Sequence, residues 1–175
     1  MRNKQYYIVA VLDDECTNAI RKIQKEIGIE LDNLNDIPHI TLIAYKDEIN
    51  IIDLLEWVNK FAQNQKSVEI CLHMLAVSNE QLYAVPCFTK DLYEMHHNIR
   101  QKYDDYCLDY FKKNYWLPHV TITYDGKIII NEKMSMITDL FQDIRLTFFK
   151  LNSLWVSCLD EDRVLTILGK FPLQD

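Results

Sequence analysis

Two short stretches of the sequence carry residues whose types and spacing suit chemistry, and each is a near copy of the other. They read Pro38-His39-Ile40-Thr41-Leu42 and Pro118-His119-Val120-Thr121-Ile122, and each lies near the middle of its own half of a 175-residue chain. A single His-x-Thr is a weak signal, because short motifs recur by chance. The shared proline and aliphatic flanks, repeated at half-chain spacing, make chance a poor explanation.

Strand geometry predicts which side chains of each copy lie together. Side chains alternate across a strand, so His39 and Thr41 share one face while the aliphatic residues beside them occupy the other. His119 and Thr121 share a face in the same way. Two such strands facing each other across a cleft would present two imidazoles and two hydroxyls to one small group.

Phosphate is a group that fits this arrangement. Opening a cyclic phosphodiester needs a base that takes a proton from water and an acid that protonates the departing oxygen. Histidine, with an ordinary pKa near 6.5, can perform either task near neutral pH, and each proton transfer is typically worth about 10²–10⁴ in rate. Threonine hydroxyls that donate to the other phosphate oxygens would add electrostatic stabilisation, and no metal is required.

Each copy taken alone also has an ordinary structural interpretation. A histidine on a half-buried strand is usually a hydrogen-bonded structural residue, and threonine has good strand propensity. The repetition favours the functional interpretation over this one. The other histidines lack such support: His96 and His97 are adjacent on a predicted helix and point in different directions, and His73 is isolated in a predicted strand, so we interpret all three as structural or surface residues.

Composition and charge limit the class of protein. The chain is 49% apolar and 26% charged, which is typical of a globular protein, and its net charge of -7 argues against tight binding to long nucleic acid. Its five cysteines are odd in number and widely spaced, which predicts reduced thiols and no zinc site or disulfide framework. The N-terminus lacks the apolar core of a signal peptide, and no apolar run is long enough to span a membrane. We expect a cytoplasmic protein without a membrane segment.

The elements that must position the two motifs follow the same order in both halves of the chain. No Gly-, Ser- or Pro-rich linker separates the halves, so we expect them to pack directly. Apolar periodicity and turn residues predict strand, helix, motif strand, helix and strand in each half. The predicted elements are strand Tyr6–Leu12, helix Cys16–Ile27, strand His39–Tyr45, helix Ile51–Phe61, strands Ser67–Val77 and Gln81–Pro86, helix Leu92–Tyr110 behind a Thr89 cap, strand His119–Tyr124, helix Met134–Phe141, and strands Arg145–Ser157 and Val164–Leu168.

With these paired motifs the chain resembles the two-histidine (2H) phosphoesterase superfamily, and most of all its 2'-5' RNA ligase-like and cyclic phosphodiesterase branch. The resemblance implies an α+β fold of two pseudo-symmetric lobes, with two antiparallel sheets lining a central cleft and helices on the outside. Residues 1–175 would form one domain of two interleaved lobes, each contributing one His-x-Thr motif. An acidic, compact chain of this kind is expected to be a monomer.

The resemblance also implies an activity and a role for each motif residue. The expected reaction is the hydrolysis of a 2',3'-cyclic phosphate on a nucleotide or RNA end, to a 2'-phosphomonoester, without metal or other cofactor. By position in the family, His39 would be the proton donor and His119 the proton acceptor, while Thr41 and Thr121 would bind the phosphate. The two copies are nearly interchangeable in sequence, so the residues themselves leave the acid and base assignment open.

The sequence leaves two alternative functions and several candidate cleft residues open. The alternatives are 2'-5' ligation of RNA, and a 2H-like domain that binds nucleotides or RNA without turnover. Strand parity places Tyr45 on the His39 face, where it could stack on a base, although a packing role at the rim or in the core is the favoured interpretation. Four further residues are candidate cleft residues, each with a solvated or packing role as its alternative: Lys46, Trp116, Lys150 and Trp155.

Overall fold

The computed structural model describes residues 4–29, 37–78, 81–112, 116–124, 126–162 and 164–175, without the side chains of 126–131. Its elements in chain order are β1 (Gln5–Leu12), α1 (Asp14–Glu26), β2 (His39–Lys46), α2 (Ile51–Ala62), β3 (Val68–Ser78), β4 (Gln81–Pro86), α3 (Lys90–Lys102), β5 (Val120–Thr123), α4 (Gly126–Gln142), β6 (Phe148–Leu159) and β7 (Leu165–Pro172). The order of strands and helices in the two halves is the order that the sequence predicts.

The seven strands of the described residues form one antiparallel sheet. The strand order is β1-β2-β5-β4-β3-β6-β7, and β1 also pairs with β6, so six of the strands close into a ring. Strand β6 makes this possible, because its first residues pair with β3 and its later residues pair with both β1 and β7. The two sheets expected from the resemblance are therefore joined through β6 and through a contact between β2 and β5.

Helices α1, α2 and α3 begin at side-chain caps and bury an apolar face. Asp13, Asn50 and Thr89 each accept a hydrogen bond from a backbone N–H in the first turn of α1, α2 and α3. Such caps satisfy donors that have no partner inside the helix and are worth about 1 kcal/mol each. On α1 the buried face is the predicted one, with Cys16, Ile20, Ile23 and Ile27 all at most 4% exposed.

Each half of the chain sends its first helix to the motif strand of the other half. The Gln24 side chain on α1 donates a hydrogen bond of 3.2 Å to the carbonyl of Ile122 on β5. The Tyr45 hydroxyl on β2 donates one of 3.2 Å to the carbonyl of Ile99 on α3. These reciprocal contacts tie the two motif strands to opposite helices, so a shift of one half relative to the other would break buried hydrogen bonds.

The third helix is shorter than its apolar periodicity predicts. The predicted stripe runs to Tyr110, but α3 ends at Lys102 and two 3₁₀ turns, Asp104–Tyr106 and Asp109–Phe111, follow it. The backbone at Cys107 instead pairs with Tyr45, and the N–H of Leu108 donates to the carbonyl of Ala44 at 2.9 Å. Pairing with the end of β2 therefore replaces further helical hydrogen bonds.

No helix in the described part of the chain is long and apolar enough to cross a bilayer.

Candidate functional site

The two motif strands meet at a single residue pair. Ile40 on β2 is the register partner of Val120 on β5, and both side chains are fully buried in the core. Because side chains alternate, the histidine and threonine on either side of this pair lie on the opposite, cleft face. In an antiparallel pair with this register, His39 lies opposite Thr121 and Thr41 lies opposite His119, while the two histidines are diagonal neighbours, about 7–8 Å apart.

Both motif histidines are oriented by the same local hydrogen bond. Nδ1 of His39 lies 2.6 Å from the carbonyl oxygen of Ile37, and Nδ1 of His119 lies 2.9 Å from that of Leu117. A carbonyl can only accept, so each Nδ1 carries a proton and each neutral ring has Nε2 as its free proton acceptor. The proline before each histidine explains the match, because it restricts the residue in front of it to an extended backbone and so directs that residue's carbonyl.

The electrostatics of the pair favour the neutral form of one histidine. Burial lowers the pKa of His39 below its ordinary 6.5, the hydrogen bond to Ile37 acts in the opposite direction, and the nearby His119 lowers the pKa further. His119 acts in this direction because a positive charge on one imidazole disfavours a positive charge on the other. An anionic phosphate between the rings would act in the opposite sense and favour protonation.

Aromatic residues support the second motif and connect it to the first. The Trp116 indole N–H donates a 2.9 Å hydrogen bond to the carbonyl of Thr41, and its ring stacks on His96 with a centroid distance of 3.9 Å. The ring of Tyr83 on β4 packs against His119 at 4.4 Å between centroids. Trp116 is therefore a packing residue that links the two motifs, and His96 has the structural role predicted for it.

A cavity of about 450 Å³ opens beside the first motif. Its wall includes His39 and Thr41, while His119 and Thr121 are not part of its lining. The other lining residues come mainly from β1, β6 and β7 and are mostly apolar. They are Tyr7, Val9, Val11, Ile37, Tyr124, Trp155, Ser157, Leu159, Leu165 and Ile167.

Tyr45 does not lie on the cleft face, which corrects the prediction from strand parity. The side chain is fully buried in the core, where its ring meets Tyr103 edge-on. The register shows why: Val9 pairs with Thr41 but Ile8 pairs with Ile43, so β2 carries one extra residue, a β-bulge, between them. A bulge shifts the alternation by one position, and every residue after it turns to the other face.

The remaining candidates separate into wall, packing and surface residues. Trp155 lines the cavity, Lys46 and Lys150 are exposed, and Trp116 packs as described above. Tyr83 was not among the candidates, although it contacts a motif histidine. The period-2 pattern of β1 does predict two faces, but both faces are apolar, so the sequence alone does not say which one faces the cleft. No group of three or more His, Cys, Asp or Glu side chains suited to a metal ion occurs among the described residues.

Comparison with known proteins finds solved structures of the same fold but no relative by sequence. No family model matches the chain, and no curated protein matches it by sequence search. Solved structures do match in fold. The structure of E. coli LigT complexed with phosphate superposes with a TM-score of 0.64 at 11% identity, covering all of both chains. Thermus thermophilus TT0787 gives a TM-score of 0.65 at 12% identity over 97% of this chain and 98% of that one.

A more distant match has the same fold. Kluyveromyces marxianus Usb1 gives a TM-score of 0.52 at 11% identity, covering 98% of each chain. The chain therefore has the fold of these proteins, and the α+β fold class that the resemblance implies is confirmed.

Proposed function

We propose that this protein is a metal-independent cyclic phosphodiesterase, which hydrolyses 2',3'-cyclic phosphates of nucleotides or RNA ends to 2'-phosphomonoesters. The observation that carries the proposal is the matched geometry of His39 and His119. Both project from neighbouring strands on one face, and both have Nδ1 bound to the carbonyl two residues earlier. A binding protein has no need of two imidazoles held in the same tautomer.

In the proposed reaction one water molecule is added across a phosphorus–oxygen bond. Nε2 of His119 accepts a proton from water as the water oxygen attacks phosphorus. The bond from phosphorus to the ribose 3'-oxygen breaks, and protonated His39 gives its Nε2 proton to that oxygen. Thr41 and Thr121 donate hydrogen bonds to the two non-bridging oxygens, which carry more negative charge in the transition state than in the substrate.

The lowered pKa of His39 has a consequence for this assignment. In the empty site the ring favours the neutral form, which cannot serve as an acid. A bound cyclic phosphate carries one negative charge between the rings and raises the pKa of its neighbours. We expect His39 to take up its proton together with the substrate, so that the acid is formed where it is used.

The fold neighbours support a nucleotide as substrate. E. coli LigT has been solved in complex with phosphate and with 3'-AMP, at 11% identity to this chain in both cases. A protein of this fold therefore binds a ribonucleotide that carries a phosphate on the ribose ring. Together with the acidic character of this chain, this favours a small substrate over a long nucleic acid.

The test is hydrolysis of adenosine 2',3'-cyclic phosphate in excess EDTA, with the product monoester identified by ³¹P NMR. We expect turnover with EDTA present, a bell-shaped pH dependence, and a loss of about 10²–10⁴ in kcat/KM for His39→Ala and for His119→Ala. His73→Ala, which removes an exposed histidine outside both motifs, is the matched control.

Three outcomes would contradict the proposal. Turnover that stops in EDTA would mean that a metal ion takes part. Turnover that survives both histidine substitutions would mean that the motifs are not the catalytic groups. Tight binding of the compound without any turnover, also on RNA with a 2',3'-cyclic end, would favour the non-catalytic alternative.

A further inference from the structure

We infer that the base of the substrate nucleoside stacks on Trp155, which makes Trp155 a specificity-determining residue of the site. The inference rests on the proposed function, since it takes the phosphate to lie at the two motifs. It adds where the rest of the substrate lies: in the cavity beside the first motif, on the face formed by β1, β6 and β7.

One row of the sheet connects the phosphate site to Trp155. Val9 on β1 is the register partner of Thr41 on one side and of Trp155 on the other. Neighbouring strands are about 4.8 Å apart, so the backbones of Thr41 and Trp155 are about 10 Å apart with one aliphatic residue between them. A ribose lying over Val9, with its cyclic phosphate at Thr41, would direct its base toward the indole.

The surroundings of this row suit a flat, largely apolar group. The neighbouring row places Tyr7 beside Ser157 and Ser157 beside Ile167, and Leu165 continues the same face on β7. These residues line the cavity, and among its described lining residues there is no Lys, Arg, Asp or Glu. The cavity of about 450 Å³ lies at the small end of the range for ligand pockets and suits one nucleoside.

The indole ring of Trp155 also contacts a residue on β7, the strand on its other side. Lys170 is the register partner of Trp155 on β7, and its ammonium lies over the indole ring, 4.0 Å from the centroid. Trp155 is only partly buried, so it retains surface toward the cavity. Because the lysine ammonium already restricts the ring, little side-chain conformational entropy is lost when a base stacks on its open surface.

A second aromatic surface lies near the second motif, outside the cavity lining, and provides the competing location for the base. Phe88 is 59% exposed, and its ring is 5.9 Å from Trp116, close to the second motif. We favour Trp155 because it lines a cavity shared with His39 and Thr41, whereas Phe88 is not part of that lining. Phe88→Ala is therefore the matched variant for Trp155→Ala.

The experiment compares two substrates that differ only in the base. They are adenosine 2',3'-cyclic phosphate and methyl β-D-ribofuranoside 2,3-cyclic phosphate, in which a methoxyl group replaces adenine. Stacking of a base on an aromatic side chain is worth about 5- to 150-fold in binding. We expect the wild type to prefer the nucleoside in kcat/KM by a factor in this range. Trp155→Ala should abolish the preference, chiefly through KM, with little change for the methyl riboside.

Two further variants sharpen the interpretation. Trp155→Phe, which retains an aromatic face, should keep most of the preference, and Phe88→Ala should keep all of it. Activity on the methyl riboside also reports that each variant is folded. Product binding gives a readout that does not depend on turnover: 2'-AMP should quench tryptophan fluorescence in the wild type and much less in Trp155→Phe.

The possible results separate this inference from the proposed function. If neither compound is hydrolysed, the proposed function fails and this inference fails with it. If both are hydrolysed and the preference is unchanged in Trp155→Ala, the proposed function stands and the inference is overturned. Loss of the preference in Phe88→Ala but not in Trp155→Ala would also overturn it, because the base would then lie against Phe88 and not in the cavity.

Discussion

The assignment of His39 as acid and His119 as base can be tested by changing the leaving group of the substrate. The two histidines have the same tautomer and equivalent carbonyl partners, so their local geometry does not distinguish the roles. The acid and the base act on different groups of the reaction: the acid donates a proton to the leaving oxygen, and the base accepts one from water. An acid is needed only because the departing 3'-oxygen is a poor leaving group, whereas the base is needed for any attack by water.

The perturbation is His39→Ala combined with a cyclic substrate in which sulfur replaces the bridging 3'-oxygen. A thiol has an ordinary pKa near 8.5 and leaves readily as the thiolate, so it does not need a proton from His39. We expect His39→Ala to lose about 10²–10⁴ in kcat/KM on the oxygen substrate and less than about tenfold on the sulfur substrate. His119→Ala should lose about 10²–10⁴ on both.

The pH dependence gives an independent measurement of the same assignment. With the oxygen substrate the wild type needs one protonated and one neutral imidazole, so kcat/KM should fall at both ends of the pH range. With the sulfur substrate only the neutral base is required, and the decline at alkaline pH should disappear. Kinetics with purified substrates between about pH 4 and pH 9 would show both effects, because this range brackets the ordinary histidine pKa.

Two results would refute this reasoning. If the sulfur substrate rescues His119→Ala and not His39→Ala, the roles are reversed. If it rescues neither variant, neither imidazole acts as a general acid, and the loss of activity must come from positioning of the phosphate. The double variant adds a check: groups that act in one step are not additive, so it should lose little more than the worse single variant.

Three further predictions follow from the same contacts. Thr41→Val and Thr121→Val should each lower kcat/KM by about 10- to 150-fold, because each removes a hydrogen bond to a charged group. The corresponding Thr→Ser variants keep the hydroxyl and should retain activity in the same assay. Val variants as active as the wild type would contradict phosphate binding by these threonines. Tyr45→Phe should lower the free energy of unfolding by about 1 kcal/mol in urea denaturation, because it removes the hydrogen bond from the Tyr45 hydroxyl to the carbonyl of Ile99. We expect kcat/KM to be unchanged. A large loss of activity would mean that Tyr45 acts at the site. Burial lowers the pKa of His96 to about 4, so the unfolded chain binds a proton below pH 6.5 that the folded chain does not. Between pH 6.5 and pH 4 the free energy of unfolding of the wild type should therefore fall by on the order of 3 kcal/mol more than that of His96→Phe. The phenylalanine retains an aromatic ring against Trp116. Free energies of unfolding that change with pH in parallel in the two proteins would contradict this prediction.

Local signals in the sequence were sufficient for the elements and for the two motif strands. Apolar periodicity and capping residues depend on neighbours within a few positions, and they predicted α1 with its buried face and the Thr89 cap of α3. The alternation around Ile40 and Val120 likewise predicted that each motif's histidine and threonine share a face. Pairing of the two motifs followed from their repetition alone, and the structure brings the two strands together at that residue pair.

Other features depend on partners far away in the chain and were decided only by the tertiary structure. Tyr45 turned into the core because of a bulge in β2, and a bulge is a property of the register with β1, not of β2 alone. The last turns predicted for α3 were replaced by pairing of Cys107 with the end of β2. The cavity beside His39 requires β1, β6 and β7 side by side. Periodicity within one strand predicts its two faces, but only its neighbours determine which face becomes the site.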